Sequence, residues 1–281
     1  GIGSVLQYLG FAEGTAFHRI ELGDFVRQNR DPWAYVRAIL EGSAEPAPRY
    51  VKGLVQARGR WQALSRKPAR LELLDYLVRF ELTPEQVRRI CDPDDRAKSG
   101  IDADEASLIA NPYLISESDL GAAESDPVAL DLLDRGMLPE GDAALFIPSD
   151  EIVIQDDARR VRAVAVDVLK EAAEAGDTLL TLSDLLERIR SRFPDRRACR
   201  PDRDIFFAEV DYYRQRLWID LDSEVQLAAL PPLHDLEALI AKTIRRRARR
   251  QNAEPDPPVD WYRALVDRFG DPTTEREAAA L

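Results

Sequence analysis

Histidine, cysteine and lysine are scarce in these 281 residues, with two, two and five of them respectively. Cys91 and Cys199 stand far apart, neither with a second cysteine or a histidine nearby, which argues against a disulfide framework and against zinc. His18 and His234 have no metal-ligand partner at useful spacing, so a triad or metal centre would have to be gathered from distant residues. None of Lys52, Lys67, Lys98, Lys170 and Lys242 follows a glycine. The phosphate-cradling G-x-x-x-x-G-K-[ST] loop is therefore missing, and this chain is not expected to hydrolyse ATP. No apolar run approaches the roughly eighteen residues of a membrane span, and the N-terminus lacks the order of a signal peptide. The expectations are a cytoplasmic protein with no membrane partner, no metal and no cofactor.

What is present is a globular composition, 45% hydrophobic and 32% charged, able to bury a substantial core. The formal charge of -12 is concentrated. Between Glu117 and Asp157 lie twelve acidic residues and one basic residue, Arg135, leaving the rest of the chain close to neutral. Arginine is plentiful, and it clusters twice. Arg188, Arg190, Arg192, Arg196, Arg197, Arg200 and Arg203 form one group; Lys242, Arg245, Arg246, Arg247, Arg249 and Arg250 form the other. Segregated charge suits a protein with one face for phosphate and another turned away.

Periodicity and caps predict a mainly helical chain. Asp156 or Asp157 starts a helix with Val161, Val164, Val168, Leu169 and Ala172 on one stripe, and Gly176 ends it. Thr181 or Ser183 opens a second helix bearing Leu182, Leu185, Leu186 and Ile189. A third runs through Ile205, Phe206, Val210 and Tyr213, and a hairpin follows between about Leu217 and Leu227. Helix, turn, helix, helix and ribbon is the order of a winged helix. Beyond Pro231 and Pro232 a long helix is expected to bury Leu236, Leu239, Ile240 and Ile244. Upstream, helices are expected within 22–30, from Asp31-Pro32 to Gly42, around 51–64, from Pro68, from Thr83-Pro84 and from Asp102 to Asn111. ICDPDDRAKSGIDADEA contains a turn, and the acidic segment reads as an irregular connector with a short strand near Ile152. WYRALVDRF, after an extended linker, reads as a last helix.

The order ARRVRA, VLKEAAEAGDTLL, IFFAEVDYYRQRLWIDLDSEVQL and LHDLEALIAKTI resembles the region before the motor in RecD-like superfamily 1 DNA helicases. RFELTPEQVRRI and the Asn111-Pro112-Tyr113 turn resemble the helical segment upstream of it. Where longer RecD-like helicases carry a Gly-hydrophobic-Gly hairpin, this chain reads SESDLGAAESDPVALDLLDRGMLPEG. The resemblance implies an N-terminal accessory region with DNA and the motor domain of the same protein as partners, the parent being an ATP-dependent helicase. On this reading 1–66 is an N-terminal helical unit and 67–116 a second one ending in the Asn-Pro-Tyr turn. The acidic connector is 117–155, the winged-helix-like unit with its basic helix is 156–250, and 251–281 leads to a motor.

The DNA-contact candidates are Arg188, Arg190, Arg192, Arg196, Arg197, Arg200, Arg203, Arg245, Arg246 and Arg249, binding weakly and with little sequence preference. No catalytic residue is expected. The rival class is a protein-interaction module docking a partner through the acidic connector or the arginine helix. Arginines gathered in one open groove favour DNA. Arginines paired with the acidic stretch favour an internal or protein interface.

Overall fold

The computed structural model describes residues 1–123, 125–141, 146, 154–193, 197–251 and 263. Its contacts divide the chain into two units, Gly1–Pro231 and Pro232–Leu281. Fifteen α-helices, a short 3-10 helix at Pro48–Tyr50 and one small sheet are the regular elements among the described residues.

The N-terminal helices are α1 (Ile2–Tyr8), α2 (Gly14–Glu21), α3 (Pro32–Glu41), α4 (Val51–Leu64), α5 (Pro68–Leu77), α6 (Pro84–Cys91), α7 (Pro93–Lys98) and α8 (Glu105–Ala110). Helices α1 and α2 cross backbone to backbone. A Cβ on Gly14 would stand 2.5 Å from the Gly3 carbonyl oxygen, so glycine is required there. Asp31 caps α3 through the backbone N–H groups of Trp33 and Ala34, with Pro32 in the first turn. Thr83 and Gln86 close a reciprocal capping box on α6. Residues 22–30, expected as a helix, form turns. The expected turn falls at Ser99 and Gly100, and a further helix, α7, precedes it because the Asp92 carboxylate accepts from the N–H groups of Asp94 and Asp95. Asp104 rather than Asp102 caps α8.

The acidic segment also departs from expectation, since it opens on the last two residues of α9 (Tyr113–Ser118) and contains α10 (Leu130–Met137). Leu130, Leu133 and Met137 are buried, and this apolar face outweighs the turn-forming prolines and glycines around it.

The second half of the first unit is winged-helix-like: α11 (Ala158–Glu174), β1 (Leu180–Thr181), α12 (Leu182–Ser191), α13 (Arg203–Ala208), α14 (Val210–Tyr213), β2 (Trp218–Asp220) and β3 (Leu227–Ala229). The sheet order is β1-β3-β2, both pairings antiparallel, with Leu180 and Ile219 opposite Ala228. The expected hairpin is therefore present and gains a third strand from the two residues before α12. Helix α11 packs against α9, α10, α12 and α14. Gly176 takes φ 101 one residue past its C-cap, Ala175. The third expected helix is split at Glu209 into α13 and α14. Phe206 and Tyr213 are core, while Phe207, Tyr212 and Trp218 are half-buried.

Asp157 is the cap of α11. Its carboxylate accepts from the Arg159 N–H at 2.9 Å and pairs with the Arg159 guanidinium. Burial pushes the Asp157 carboxyl up, but the bonds from Arg159 prevail and hold it below its ordinary value. A carboxylate depressed on folding contributes stability that is complete above its unfolded value and lost as pH falls through the folded one. Asp157→Ala should therefore cost about 0.5–2 kcal/mol at pH 7. The deficit should shrink in acid, as measured by urea unfolding at pH 7 and near pH 3.

In the second unit, α15 (Pro231–Gln251) is mostly solvent-facing. Leu236, Leu239, Ile240 and Ile244, expected as a buried stripe, are 52–61% exposed. The amphipathic pattern is there without the burial. The strand expected near Ile152, the linker of 252–259 and the last helix around 261–269 lie outside the described residues, apart from Arg263.

Candidate nucleic-acid interface

The first arginine cluster disperses once folded. Arg188 lies 3.6 Å from Asp177, and Arg190 donates to the Pro201 carbonyl at 3.0 Å. Arg192 spans Asp167 at 2.6 Å and Glu171 at 2.9 Å, both on α11. Arg197 turns the other way, onto Asp131 at 2.8 Å and Asp134 at 3.2 Å of α10. Arg200 is exposed and its backbone N–H donates to Asp156. Arg203 donates to Gln226 at 2.6 Å, with its guanidinium 5.3 Å over the Phe207 ring. Arg196 lies outside the described residues. Consecutive positions around a helix end face different ways, so closeness in sequence does not gather these charges into one groove.

The acidic stretch is largely spent on arginines. Asp119 accepts from Arg89 at 2.7 Å, and from the N–H groups of Gly121 and Val128. Two deeper pairs come from α11. Arg160 makes a two-pronged contact with Asp134 at 2.6 and 3.0 Å, both side chains fully buried. Arg162 does the same with Glu117 at 2.9 and 3.0 Å. Asp134 also accepts from the Tyr113 hydroxyl at 3.0 Å, and Arg160 donates further to the carbonyls of Gln155 and Arg197. Burial and the Asp134 charge push the Tyr113 phenol well up. Burial raises the Asp131 carboxyl too, but hydrogen bonds from Arg197 and Arg135 outweigh it and hold that group below its usual range. For Glu117 the balance reverses, and burial prevails over Arg162 to raise it.

These buried pairs escape a search for exposed basic clusters. The readable signal was Arg160 and Arg162 inside ARRVRAVAV, where every position from 160 to 166 is buried. A helix enclosed on several faces needs carboxylate partners for its arginines. The acidic helices α9 and α10 supply them.

Open cations stand together on α15. Lys242, Arg245, Arg246, Arg247 and Arg249 are exposed and make no hydrogen bond or ion pair with a described residue. Lys242, Arg245, Arg246 and Arg249 share one face by their three- and four-residue spacing. The Arg250 side chain lies outside the described residues. The ribbon and the helices before it carry the opposite charge. Asp202, Asp204, Glu209, Asp211, Asp222 and Glu224 are exposed there, against exposed Arg203 and Arg214.

A cleft of about 880 Å³ in the first unit is lined by Trp33, Tyr76 and Met137, with Arg37, Arg135 and Arg159 among its charges. Each of those arginines is already paired, with Asp75, Asp131 and Asp157 respectively. Both cysteines are buried free thiols pushed up to about 12 by burial. Among the described residues no three His, Cys, Asp or Glu side chains stand where they could hold a metal ion, and no helix is long and apolar enough to cross a membrane. Comparison with protein-family models, with curated proteins and with solved structures finds no match to this chain.

Proposed function

We propose that this chain is a non-catalytic accessory region of a RecD-like DNA helicase or ATPase, positioning DNA or the motor domain. The observation that carries the reading is a winged-helix-like unit followed directly by α15, whose cations are open. DNA contact is assigned to Lys242, Arg245, Arg246 and Arg249. The ribbon face is acidic, and most of the first arginine cluster already has carboxylate or carbonyl partners. Binding of this kind reads backbone phosphate and is sequence-tolerant.

Two measurements test it. Changing Arg245, Arg246 and Arg249 together to Ala should weaken binding to labelled duplex DNA and flatten the log-log salt dependence by about 2–3, at roughly 0.9 per phosphate contact. Changing Arg192 to Ala should leave that slope where it was. An unaltered slope in the α15 variant removes the assignment. The chain should also give no ATP turnover above a blank, with or without DNA, because no glycine-rich loop and lysine are present to hold the phosphates. Turnover by the purified chain would remove the non-catalytic part of the reading.

The acidic ribbon face and the paired arginines favour a second reading, a protein-interaction module. On that reading DNA affinity is negligible in every variant and the accessory role is carried by docking alone.

A further inference from the structure

The longest stretch of the chain without a carboxylate runs from 46 to 71, and it carries seven cations. Helix α4 is its centre. Leu54, Ala57 and Trp61 are buried at three- and four-residue spacing and fix which side of the helix faces the core. Lys52, Gln56, Gly59 and Ala63 recur at the same spacings on the opposite side, and all four are exposed. Arg66 and Lys67 follow, also exposed, in the turn to α5. Arg49 is paired with Glu21, while Arg58 and Arg60 donate to the Ile39 and Tyr8 carbonyls. Lys52, Arg66 and Lys67 make no side-chain hydrogen bond or ion pair with a described residue.

Two local preferences are broken on this outer face. The first turn of a helix favours anions, yet α4 has Lys52 there and no acidic residue. Gly59 weakens the helix interior relative to alanine. The other glycine of α4 has a packing reason, since a Cβ on Gly53 would stand 2.4 Å from the Phe11 ring, whereas a Cβ on Gly59 would meet nothing within 4 Å. An anionic backbone that comes close to the helix from outside accounts for both the first-turn cation and the glycine in open space.

The shape of the face selects the polyanion. At about 1.5 Å per residue the 14-residue helix is about 21 Å long, with open cations at its start and just beyond its end. The major groove of B-form DNA is about 12 Å wide and admits an α-helix. The two ends of α4 then meet the phosphates bordering the groove, while the low middle of Gln56, Gly59 and Ala63 enters it. An A-form duplex has a major groove too narrow for side chains to read. Single strands are held by exposed aromatic rings, whereas Tyr50 and Trp61 are buried. A bilayer calls for aromatic and long aliphatic residues on the contact face, and here the exposed apolar side chains are Val51, Val55 and Ala63.

We propose that α4 is a second DNA-contact element, laying its outer face in the major groove of a B-form duplex with Lys52, Arg66 and Lys67 on backbone phosphates. This rests on the reading of the chain as a DNA-positioning region and deepens it, adding a contact in the first unit that shares no residue with α15.

The test titrates the full chain with a short labelled DNA duplex across a salt series. Lys52→Ala/Arg66→Ala/Lys67→Ala should flatten the log-log salt dependence by about 2–3, at roughly 0.9 per phosphate contact, and weaken low-salt binding about tenfold. Gly59→Leu keeps every charge and introduces a better helix former. It should leave circular dichroism and the salt slope in place while weakening duplex binding severalfold. Gly59→Ala should raise the thermal midpoint of unfolding, and a fall would give the glycine a structural reason and overturn its part in the contact. An unaltered slope in the α4 triple variant beside a flattened one in the α15 variant overturns this contact and leaves the DNA reading standing. Absence of duplex binding by the unchanged chain overturns both. Equal affinity for single strands, duplex RNA or a polyglutamate peptide overturns the B-form assignment, because net charge alone would then account for binding.

Discussion

Replacing Asp134 by alanine should destabilise the first unit by about 3–5 kcal/mol, because it leaves the Arg160 charge buried without its counter-ion. The same change removes the acceptor of the Tyr113 hydroxyl and one of the two carboxylates facing Arg197. Loss of a carboxylate from an exposed pair usually costs no more than about 1 kcal/mol. The excess comes from desolvation, since neither Arg160 nor Asp134 reaches water. Urea unfolding of Asp134→Ala, Arg160→Leu and the double variant forms a cycle. The double variant should recover much of the loss, because an apolar side chain in place of the guanidinium leaves no unpaired charge. A loss under 1 kcal/mol in Asp134→Ala would show that solvent or a rearranged carbonyl already screens Arg160.

The same pairs show how far the sequence could be read. Local signals placed the well-capped helices: Asp31-Pro32 for α3 and Thr83 with Gln86 for α6, and for α11 and α12 a choice of two caps each, of which Asp157 and Thr181 are the ones used. Each rests on a side chain bonding to a backbone N–H two or three residues away, so the information is local. The mainly helical fold with its short ribbon was legible for the same reason. Strand β1 was not, because two residues have no period, and they become a strand only by pairing with Leu227 and Ala228. Helix α10 was missed because the prolines and glycines around it suggested an irregular connector, whereas its buried face meets α11 and Asp134 itself is fully buried.

The candidate interface was legible in composition but not in geometry. Charge counts located the arginine-rich segments and the acidic stretch along the chain. They could not tell that Arg192 would bridge Asp167 and Glu171 while Arg197, five residues on, would cross to Asp131. Those partners lie between 21 and 66 residues away. The stripe of α15 shows the converse. Its pattern is that of a buried face, yet exposure depends on which element arrives to cover it, and periodicity holds no record of that.

A reading of the acidic stretch as an internal counter-ion store makes a second strong prediction, at Glu117. Its carboxylate is held by Arg162 and lies 3.8 Å from the Arg216 Nε, while Lys170 donates to the neighbouring Ser116 carbonyl. Burial raises the Glu117 carboxyl despite these cations. A carboxyl raised on folding contributes stability that is complete below its unfolded value and lost as pH rises through the folded one. Arg162→Ala removes the strongest opposing influence, so the Glu117 carboxyl should rise further and the variant's deficit should widen with pH. Near neutrality the expected loss is about 3–5 kcal/mol, the cost of stranding a buried charge. At pH 4.5, where the carboxyl can stay protonated, the loss should be clearly smaller. Urea unfolding of the unchanged chain and the variant at pH 4.5 and pH 8 measures the difference, and acid effects elsewhere cancel between the two proteins. Glu117→Gln in the Arg162→Ala background should remove the pH dependence of the deficit while leaving the packing cost. An equal deficit at both pH values would show that Arg216 and Lys170 are enough to hold the Glu117 charge, and that the bond to Arg162 contributes packing rather than electrostatic compensation.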